Sequence, residues 1–351
     1  MRNETSRRAL SATVLVTIVF LSFESANAQD VGPAPPAGEA PVETPPTVEA
    51  PPPAAAAKPP QYSLPFQLRP VTAATVLRSD NSFASYENKL GQGGFALVSI
   101  LTAAWRIPGT GNAPGTGLAP IVKLALVNDS PPPTVGKNNA TTPTTGGLAI
   151  VNPLVGATYA VAFGSGFRAS AFFCVTIPVG MGGGNAPNPG QLDARKVGPN
   201  VRAMMDNPLF AVNDFGIVPG LDLAYVDHGF TAQLEATIGD LQRVRGAANQ
   251  PEQQKSVFTS GFHAGYFVIP MLSLGAELRY QHWLSPPIAV EDHVAGTSLD
   301  MTSFGVGPRF HFQVAPSVWI RPGVSYTRGF DHPLTSPGNY NIFQLDVPVV
   351  F

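Results

Sequence analysis

Charged side chains spaced two residues apart are the features of this sequence with the most potential for chemistry. Glu277 and Arg279 lie in "LSLGAELRYQHW", and Arg309 and His311 lie in "SFGVGPRFHFQV". In a β-strand this spacing places the charged groups on one face and the intervening apolar residues on the other. Ten residues on such polar faces are the candidate functional residues: Arg168, Asp222, Glu235, His263, Glu277, Arg279, Arg309, His311, Arg321 and Asp346.

The sequence contains no recognisable catalytic motif around its histidines. His282 precedes Trp283, but no lipase-like nucleophile motif accompanies the pair. His263 and His311 lack the spacing of metal ligands. The glycine-rich stretches "GQGGF" and "GMGGGNAP" lack the strand and the Lys-Ser/Thr context of a phosphate-binding loop. We therefore expect no enzyme activity, no metal, no cofactor and no bound nucleotide.

The composition narrows the possible partners and the source of stability. The chain of 351 residues has a formal net charge of -2, which offers no positive field for nucleic acid. Its single cysteine, Cys174, cannot form an internal disulfide, and we expect an inert buried thiol. Stability must therefore come from an apolar core or from a membrane.

The first 61 residues predict export followed by a spacer. Arg2, Arg7 and Arg8 precede an apolar run at 10–23, and small residues at 26–28 supply a cleavage site, so residues 1–28 are predicted to be a signal peptide. Proline and alanine dominate residues 29–61, which predicts a disordered linker in the periplasm. The folded domain is then residues 62–351.

The sequence beyond the linker predicts β-strands. No apolar stretch reaches the roughly 20 residues that a membrane helix requires. The segments "GGLAIVNPLVGATYAVAF" at 146–163 and "FRASAFFCVTIPV" at 167–179 alternate apolar and polar residues with a period of two. The same alternation recurs further along the chain, and it favours strands over helices.

The lengths of the turns favour a membrane barrel over a soluble sandwich. Tight connections near 164–166, 228–229, 269–271 and 315–317 alternate with longer loops near 180–216, 245–255, 285–298 and 329–339. Outer-membrane barrels combine short periplasmic turns with long external loops in this way. Further strands near 64–77, 93–107 and 118–128 bring the total to about twelve. The predicted fold is an all-β, transmembrane antiparallel β-barrel with its apolar faces turned outward.

The last residues, "NIFQLDVPVVF", carry a resemblance to a known class of proteins. The segment ends in an aromatic residue and alternates apolar side chains back along the strand. It resembles the carboxy-terminal assembly signal of bacterial outer-membrane β-barrel proteins, without identifying a particular porin family. The resemblance implies a location in the outer membrane, contact with lipid and lipopolysaccharide, and recognition by the barrel-assembly machinery. Five residues carry the signal: Phe343, Leu345, Val347, Val349 and Phe351.

Three prolines do not fit regular strands. Pro308, Pro322 and Pro348 lie inside proposed strands, where each removes a hydrogen-bond donor. Symmetric pairing around the 315–317 turn places Pro308 opposite Pro322, which predicts one shared bulge. The same symmetric pairing around the tight turns predicts three facing pairs: Glu277 with His263, Arg309 with Arg321, and Asp222 with Glu235.

The ten candidates would face the lumen of this barrel. Their mixed charges favour a porin-like channel for passive passage of small polar solutes, because a transverse field in a pore acts on polar molecules. The alternative is a closed structural or adhesion barrel whose charges neutralise one another. In the longest loop, Arg195, Lys196 and Arg202 are candidates for a constriction; a loop on the cell surface is the other interpretation.

Overall fold

The computed structural model describes residues 61–136, 138–246, 252–294, 297–336 and 338–351. The predicted signal peptide and all of the predicted linker except Gln61 lie outside the described residues. No described helix is long and apolar enough to cross a membrane.

The described residues contain a closed antiparallel barrel. Its sheet has fifteen hydrogen-bonded segments, and three of the strands consist of two segments each, which leaves twelve strands. The last strand pairs with the first from Val76 opposite Val350 to Ser85 opposite Asn341, and this pairing closes the barrel. The predicted fold of about twelve strands is confirmed. The strands are β1 Val76–Glu87, β2 Gly93–Ala104, β3 Gly117–Ser130, β4 Gly147–Ile150 with Leu154–Ala162, β5 Phe167–Thr176, β6 Asp214–Asp227, β7 Phe230–Arg243, β8 Gln254–Ile269, β9 Leu272–Ser285, β10 Asp300–Phe310 with Phe312–Ala315, β11 Val318–Ile320 with Gly323–Gly329, and β12 Asn341–Val350.

Alternation along the strands turns the apolar side chains outward. In β7, Leu234 and Ile238 are exposed, whereas Glu235 and Thr237 are buried. Closure leaves no sheet edge, so each of the twelve strands has a hydrogen-bonded neighbour on both sides. An apolar outer surface around a polar interior is the arrangement that suits lipid and is unfavourable in water.

The two ends of the barrel differ in the length of their connections. We call the end with the tight connections at 163–166, 228–229, 270–271 and 316–317 the turn end. His228 and Gly229 both have positive φ, as a two-residue hairpin between twisted strands requires. The loop end carries the connections at 131–146, 177–213, 244–253, 286–299 and 330–340, together with one short connection at 88–92. One longer connection, 105–116, lies at the turn end.

The pairing of β10 with β11 differs from the symmetric prediction. Arg309 pairs with Gly323 rather than with Arg321, so the predicted facing of Arg309 with Arg321 and of Pro308 with Pro322 is wrong. The pairs Phe312 with Ile320 and Gln313 with Trp319 have the same register, so the hairpin is centred on residue 316, one residue beyond the centre that the predicted pairs imply. The other two predicted pairs, Glu277 with His263 and Asp222 with Glu235, are confirmed.

The first strand begins twelve residues later than predicted, at Val76 instead of residue 64. Residues 61–75 form no strand, and their side chains are largely buried inside the barrel. We call them the inner segment. It bends at residues 66–68, and both Ser63 and Ala73 contact groups of the turn end, so the segment enters and leaves by that end. Pro65 and Pro70 lack the N–H groups that a central strand would need.

The longest connection also folds into the barrel. It contains α1 Pro189–Val201, α2 Asn207–Phe210, and an N-cap in which the Asn188 side chain accepts from the Gln191 N–H at 3.2 Å. Buried apolar residues of α1, including Val197 and Val201, share one core with inward-facing apolar residues of β1 to β4. This loop therefore fills the lumen near the loop end. The remaining short elements are α3 Ile288–Glu291 and a hairpin of Thr134–Val135 with Thr141–Thr142.

Candidate functional site: the barrel interior

Glu277 anchors the bend of the inner segment. Its carboxylate accepts the backbone N–H groups of Phe66 and Gln67, the latter at 3.2 Å. It also accepts from Arg279 Nε at 2.9 Å, and His263 Nδ1 lies 3.6 Å from it. Strands β8 and β9 position these side chains, because residues 263 and 277 are cross-strand partners. One buried carboxylate thus neutralises an arginine and satisfies two backbone donors, which offsets the cost of its burial.

Arg309 binds the carbonyl groups of the same segment. Its guanidinium donates to the Leu64 carbonyl at 3.1 Å, to the Pro65 carbonyl at 3.0 Å and to Asp346 Oδ2 at 2.5 Å. Its central carbon also lies 5.1 Å from the centre of the Phe66 ring. The fixed fork of an arginine suits several acceptors at once. Arg309 of β10, itself paired with Asp346 of β12, therefore holds the part of the inner segment that precedes the bend.

Arg321 and His311 continue this network toward the turn end. Arg321 donates to the Tyr62 carbonyl and, from Nε, to His311 Nδ1 at 2.9 Å. The other imidazole nitrogen of His311 lies 2.9 Å from Ser273 Oγ. Because Nδ1 accepts from an arginine, His311 is neutral with its proton on Nε2. No carboxylate of the described residues lies within ion-pair distance of Arg321.

Glu235 holds the part of the inner segment beyond the bend. Its carboxylate accepts the Arg69 N–H at 2.6 Å and pairs with Arg69 Nη1 at 2.9 Å. The Arg69 guanidinium also stacks over the Phe172 ring at 4.0 Å. Asp222, opposite Glu235, accepts from the Ser170 hydroxyl at 2.7 Å. The facing of these two carboxylates is therefore tolerated because each has its own donor.

Nine of the ten sequence candidates are buried inside the barrel, and Arg168 is partly exposed there. Sequence reasoning did not single out several other residues that bind the inner segment. Gln344 donates to the Phe66 carbonyl at 2.8 Å, and Gln233 donates to the Arg69 carbonyl at 2.6 Å. Both residues alternate with outward apolar residues, and that alternation could have identified them as residues of the barrel interior. Arg78 also donates to the Phe66 carbonyl, but the predicted first strand ended at residue 77 and did not include it.

Among the three loop candidates, Arg202 reaches the barrel wall. It donates to Asp80 at 2.9 Å and to Ser82 at 2.9 Å, and it pairs with Asp206 at 3.0 Å. Lys196 is exposed and lies 4.0 Å from Asp193, and Arg195 donates to the Gly182 carbonyl at 2.8 Å. Of the three candidates, only Arg202 therefore ties the loop to β1.

Asp206 is the acidic partner of this loop contact. Burial alone would raise the pKa of its carboxyl, but Lys123 and Arg202 outweigh burial and hold that pKa below its ordinary value. A lowered pKa means that the pairing stabilises the fold at neutral pH and that this stability is lost as acid protonates the carboxylate.

Replacing Asp206 with Asn is expected to lower the free energy of unfolding by about 3 kcal/mol, because it leaves Arg202 and Lys123 buried with one carboxylate fewer. Denaturant titration of the refolded protein in detergent measures this change. Asp193→Asn is the matched control, because its side chain is exposed and its partner Lys196 is exposed too. Equal unfolding curves for the two variants would contradict the assigned role.

A cavity of about 960 Å³ lies between the inner segment and the wall formed by strands β1 to β6 and β12, with Arg321 also lining it. Trp105 and Phe351, both exposed, stand at the turn end of the cavity, and Lys123 and Arg202 line it deeper in the barrel. Aliphatic residues cover much of the wall between, including Leu68, Ile100, Ile121 and Leu154. Seven of the lining residues are cationic, and a single one, Asp80, is acidic. The cationic residues are Arg69, Arg78, Arg106, Lys123, Arg168, Arg202 and Arg321.

The outer surface decides the class of the fold. The exposed large apolar side chains occur in strand after strand around the closed sheet, for example Leu124, Leu221, Leu278 and Phe343. The charged groups instead lie inside. The architecture is that of an outer-membrane β-barrel. Aromatic residues near the turn end, Phe167, Phe230 and Phe312 among them, are exposed as in the aromatic girdle of such barrels.

The comparisons with known proteins concern the fold. An outer membrane channel from Pseudomonas putida F1 aligns with a TM-score of 0.49 and 14% identity, covering 82% of this chain and 98% of that one. The NanC porin has a TM-score of 0.41 and 8% identity, with 78% and 98% covered. The translocator domain of the autotransporter NalP from Neisseria meningitidis has a TM-score of 0.41 and 10% identity, with 80% and 88% covered. No family model and no curated protein matches the chain.

Proposed function

We propose that the protein is a channel of the outer membrane through which small polar solutes pass passively. The observation that carries the proposal is the cavity of about 960 Å³ inside a closed barrel, with cationic residues along it. A lumen that merely filled space would not need a cavity of this volume. Positive lining charge favours anions, because a low-dielectric wall strengthens the field inside a pore.

Two segments regulate passage in this proposal. The inner segment occupies the lumen near the turn end, and the loop containing α1 and α2 occupies it near the loop end. The wall holds the inner segment mostly through hydrogen bonds to its backbone rather than through a large apolar core. Water entering the lumen competes with hydrogen bonds of this kind, so a displaced inner segment is accessible at moderate free energy.

The orientation follows from the lengths of the connections. We place the turn end and the linker of residues 29–61 in the periplasm and the loop end outside, as short periplasmic turns require. Lipid then surrounds the apolar strand faces, and lipopolysaccharide surrounds the loop end. The residues Phe343, Leu345, Val347, Val349 and Phe351 are proposed to be recognised by the assembly machinery; four of them lie on the outward face of β12, and Phe351 follows that strand.

A closed structural or adhesion barrel is the second candidate. It is favoured by the pairing of most interior charges, such as Arg309 with Asp346 and Arg279 with Glu277. Interior charges that satisfy one another and the inner segment need no solute. This candidate predicts a folded barrel without conductance.

Planar-bilayer recording of the full-length protein separates the two candidates. We expect discrete channels whose reversal potential in a salt gradient indicates a preference for anions. Arg168→Gln is expected to lower that preference, because its charge lines the cavity without an ion-pair partner among the described residues. Arg328→Gln is the control, because Arg328 bonds to Asn341 at 3.0 Å outside the cavity. A correctly folded protein that never conducts would support the closed barrel.

A further inference from the structure

The cationic groups that line the cavity differ in how they are neutralised. Arg69 pairs with Glu235, Arg78 pairs with Asp346, and Arg202 pairs with Asp80 and Asp206. These charges are satisfied by the protein and require nothing from a ligand. Any demand for an external anion must come from the remaining cations.

Lys123 pairs with Asp206, whereas Arg106, Arg168 and Arg321 have no carboxylate partner among the described residues. Of these three, Arg168 is the one whose guanidinium also has no hydrogen-bond partner there, since Arg106 and Arg321 donate to backbone carbonyls.

Arg168 lines the cavity at the turn end of β5, and neither a hydrogen bond nor an ion pair joins its guanidinium to any residue in the described ranges. Its guanidinium lies near the 105–116 connection, where a Cβ built on Gly115 would be 3.1 Å from Nη1 and 3.3 Å from the Thr72 methyl group. Gly115 thus leaves space beside the guanidinium that any other residue would fill.

A second cation strengthens the positive field at the same place. Arg106 donates from Nε to the Thr116 carbonyl at 2.8 Å, and its other contacts are also backbone carbonyls of this connection. Its charge is therefore held at the cavity without a carboxylate. Two guanidinium groups near one partly enclosed mouth make the binding of an anion favourable, since each gives up little hydration there.

The space beyond these arginines is long and largely aliphatic, and the cations that also line it there are paired with carboxylates. Arg168 is level with Ala162 on β4, and Lys123 is level with Leu154 on the same strand. Eight residues separate positions 154 and 162, which corresponds to roughly 26 Å along the strand. Between these levels the cavity is lined by aliphatic side chains, such as Ile121 from β3 and Leu68 from the inner segment.

We infer that this cavity is a binding site for amphipathic carboxylates, with the carboxylate at Arg168 and the apolar body along the wall formed by Ile121, Leu154 and Leu68. The inference rests on the proposed function, because it names the class of solute that the channel takes. The cavity volume of about 960 Å³ accommodates an organic acid with an extended apolar chain. An inorganic anion would make no contact with this aliphatic wall.

Equilibrium binding tests the inference independently of conduction. Full-length protein in lipid nanodiscs is titrated calorimetrically with hexanoate, acetate and hexanamide, and empty nanodiscs supply the correction for partitioning into lipid. We expect hexanoate to bind at least about tenfold more tightly than either analogue, because acetate lacks the apolar body and hexanamide lacks the charge. Equal affinity for hexanoate and hexanamide would overturn the inference.

Variants locate the carboxylate. Arg168→Gln is expected to weaken hexanoate binding about tenfold and to leave the barrel folded, because the side chain makes no hydrogen bond within the described residues. Arg168→Lys should recover part of the affinity, and Arg328→Gln should not change it. Unchanged binding in Arg168→Gln would overturn the assignment.

The outcomes for the binding site and the channel are separable. Tight hexanoate binding by a barrel that does not conduct supports the site and contradicts passive transport. Conducting channels without hexanoate binding support transport and overturn the amphipathic-carboxylate site.

Discussion

Deleting residues 62–73 is expected to raise the single-channel conductance of the barrel several-fold. These residues place Tyr62, Leu64, Phe66 and Leu68 in the lumen, and a closed barrel of twelve strands encloses a substantial passage once they are removed. The wall charges then contact water, which hydrates them at little cost. Conductance in planar bilayers measures the effect, and β-sheet circular dichroism verifies that the variant is folded.

The matched control for this deletion removes twelve residues of the proline-rich region, 35–46, which lie outside the described residues. It should leave the conductance near that of the full chain, because the lumen keeps the inner segment. Equal increases in the two deletions would show that length of the preceding chain, and not occupancy of the lumen, determines conductance.

A reversible lock tests the same idea without removing any residue. A Cβ built on Gly261 would lie 3.2 Å from Leu68 Cγ, so cysteines at these two positions are close enough for a disulfide. In a Cys174→Ala background, the pair Leu68→Cys and Gly261→Cys is expected to lower conductance when oxidised. Reduction should restore it. Insensitivity to reductant, with the disulfide verified by mass, would mean that the inner segment does not move during conduction.

A strand could be predicted from the sequence when its outward face carries an unbroken series of apolar residues. β5, β7 and β12 turn a regular series of apolar residues outward, so their alternation was visible in the sequence. β1 carries Ser79 and Asn81 on its outward side, which weakens the period of two. The stretch before it contains Leu64, Phe66 and Leu68, and it was mistaken for a strand because an apolar segment inside a lumen has the same alternation.

The partners of the interior charges could not be predicted from residue types. Sequence pattern placed Glu277 and Arg309 on inward faces, but their principal partners include the backbone groups of Phe66, Leu64 and Pro65. Every residue has such groups, so composition carries no signal for them. The partners of the loop cations were equally unpredictable. Arg195, Lys196 and Arg202 could not be distinguished in the sequence, and in the fold only Arg202 pairs with a carboxylate of the barrel wall, that of Asp80 on β1.

These backbone contacts make Glu277 the residue whose neutralisation should cost the most stability. Glu277→Gln leaves Arg279 and His263 without their carboxylate and removes one acceptor for the Phe66 and Gln67 N–H groups. Breaking a buried ion pair on one side typically destabilises a fold by about 3–5 kcal/mol. We expect a loss of that size in denaturant titrations of the refolded barrel.

A second measurement assigns the loss to the inner segment and not to the wall alone. Amide hydrogen exchange at Phe66 and Gln67 should accelerate in Glu277→Gln, because the acceptor that protects both amides is weakened. Glu87→Gln is the control, since Glu87 is an exposed carboxylate at the loop end of β1. If both variants unfold alike and leave these two amides protected, the carboxylate of Glu277 does not anchor the bend. If Glu277→Gln both destabilises the barrel and raises its conductance, the hydrogen bonds that stabilise the barrel also hold the inner segment in the lumen.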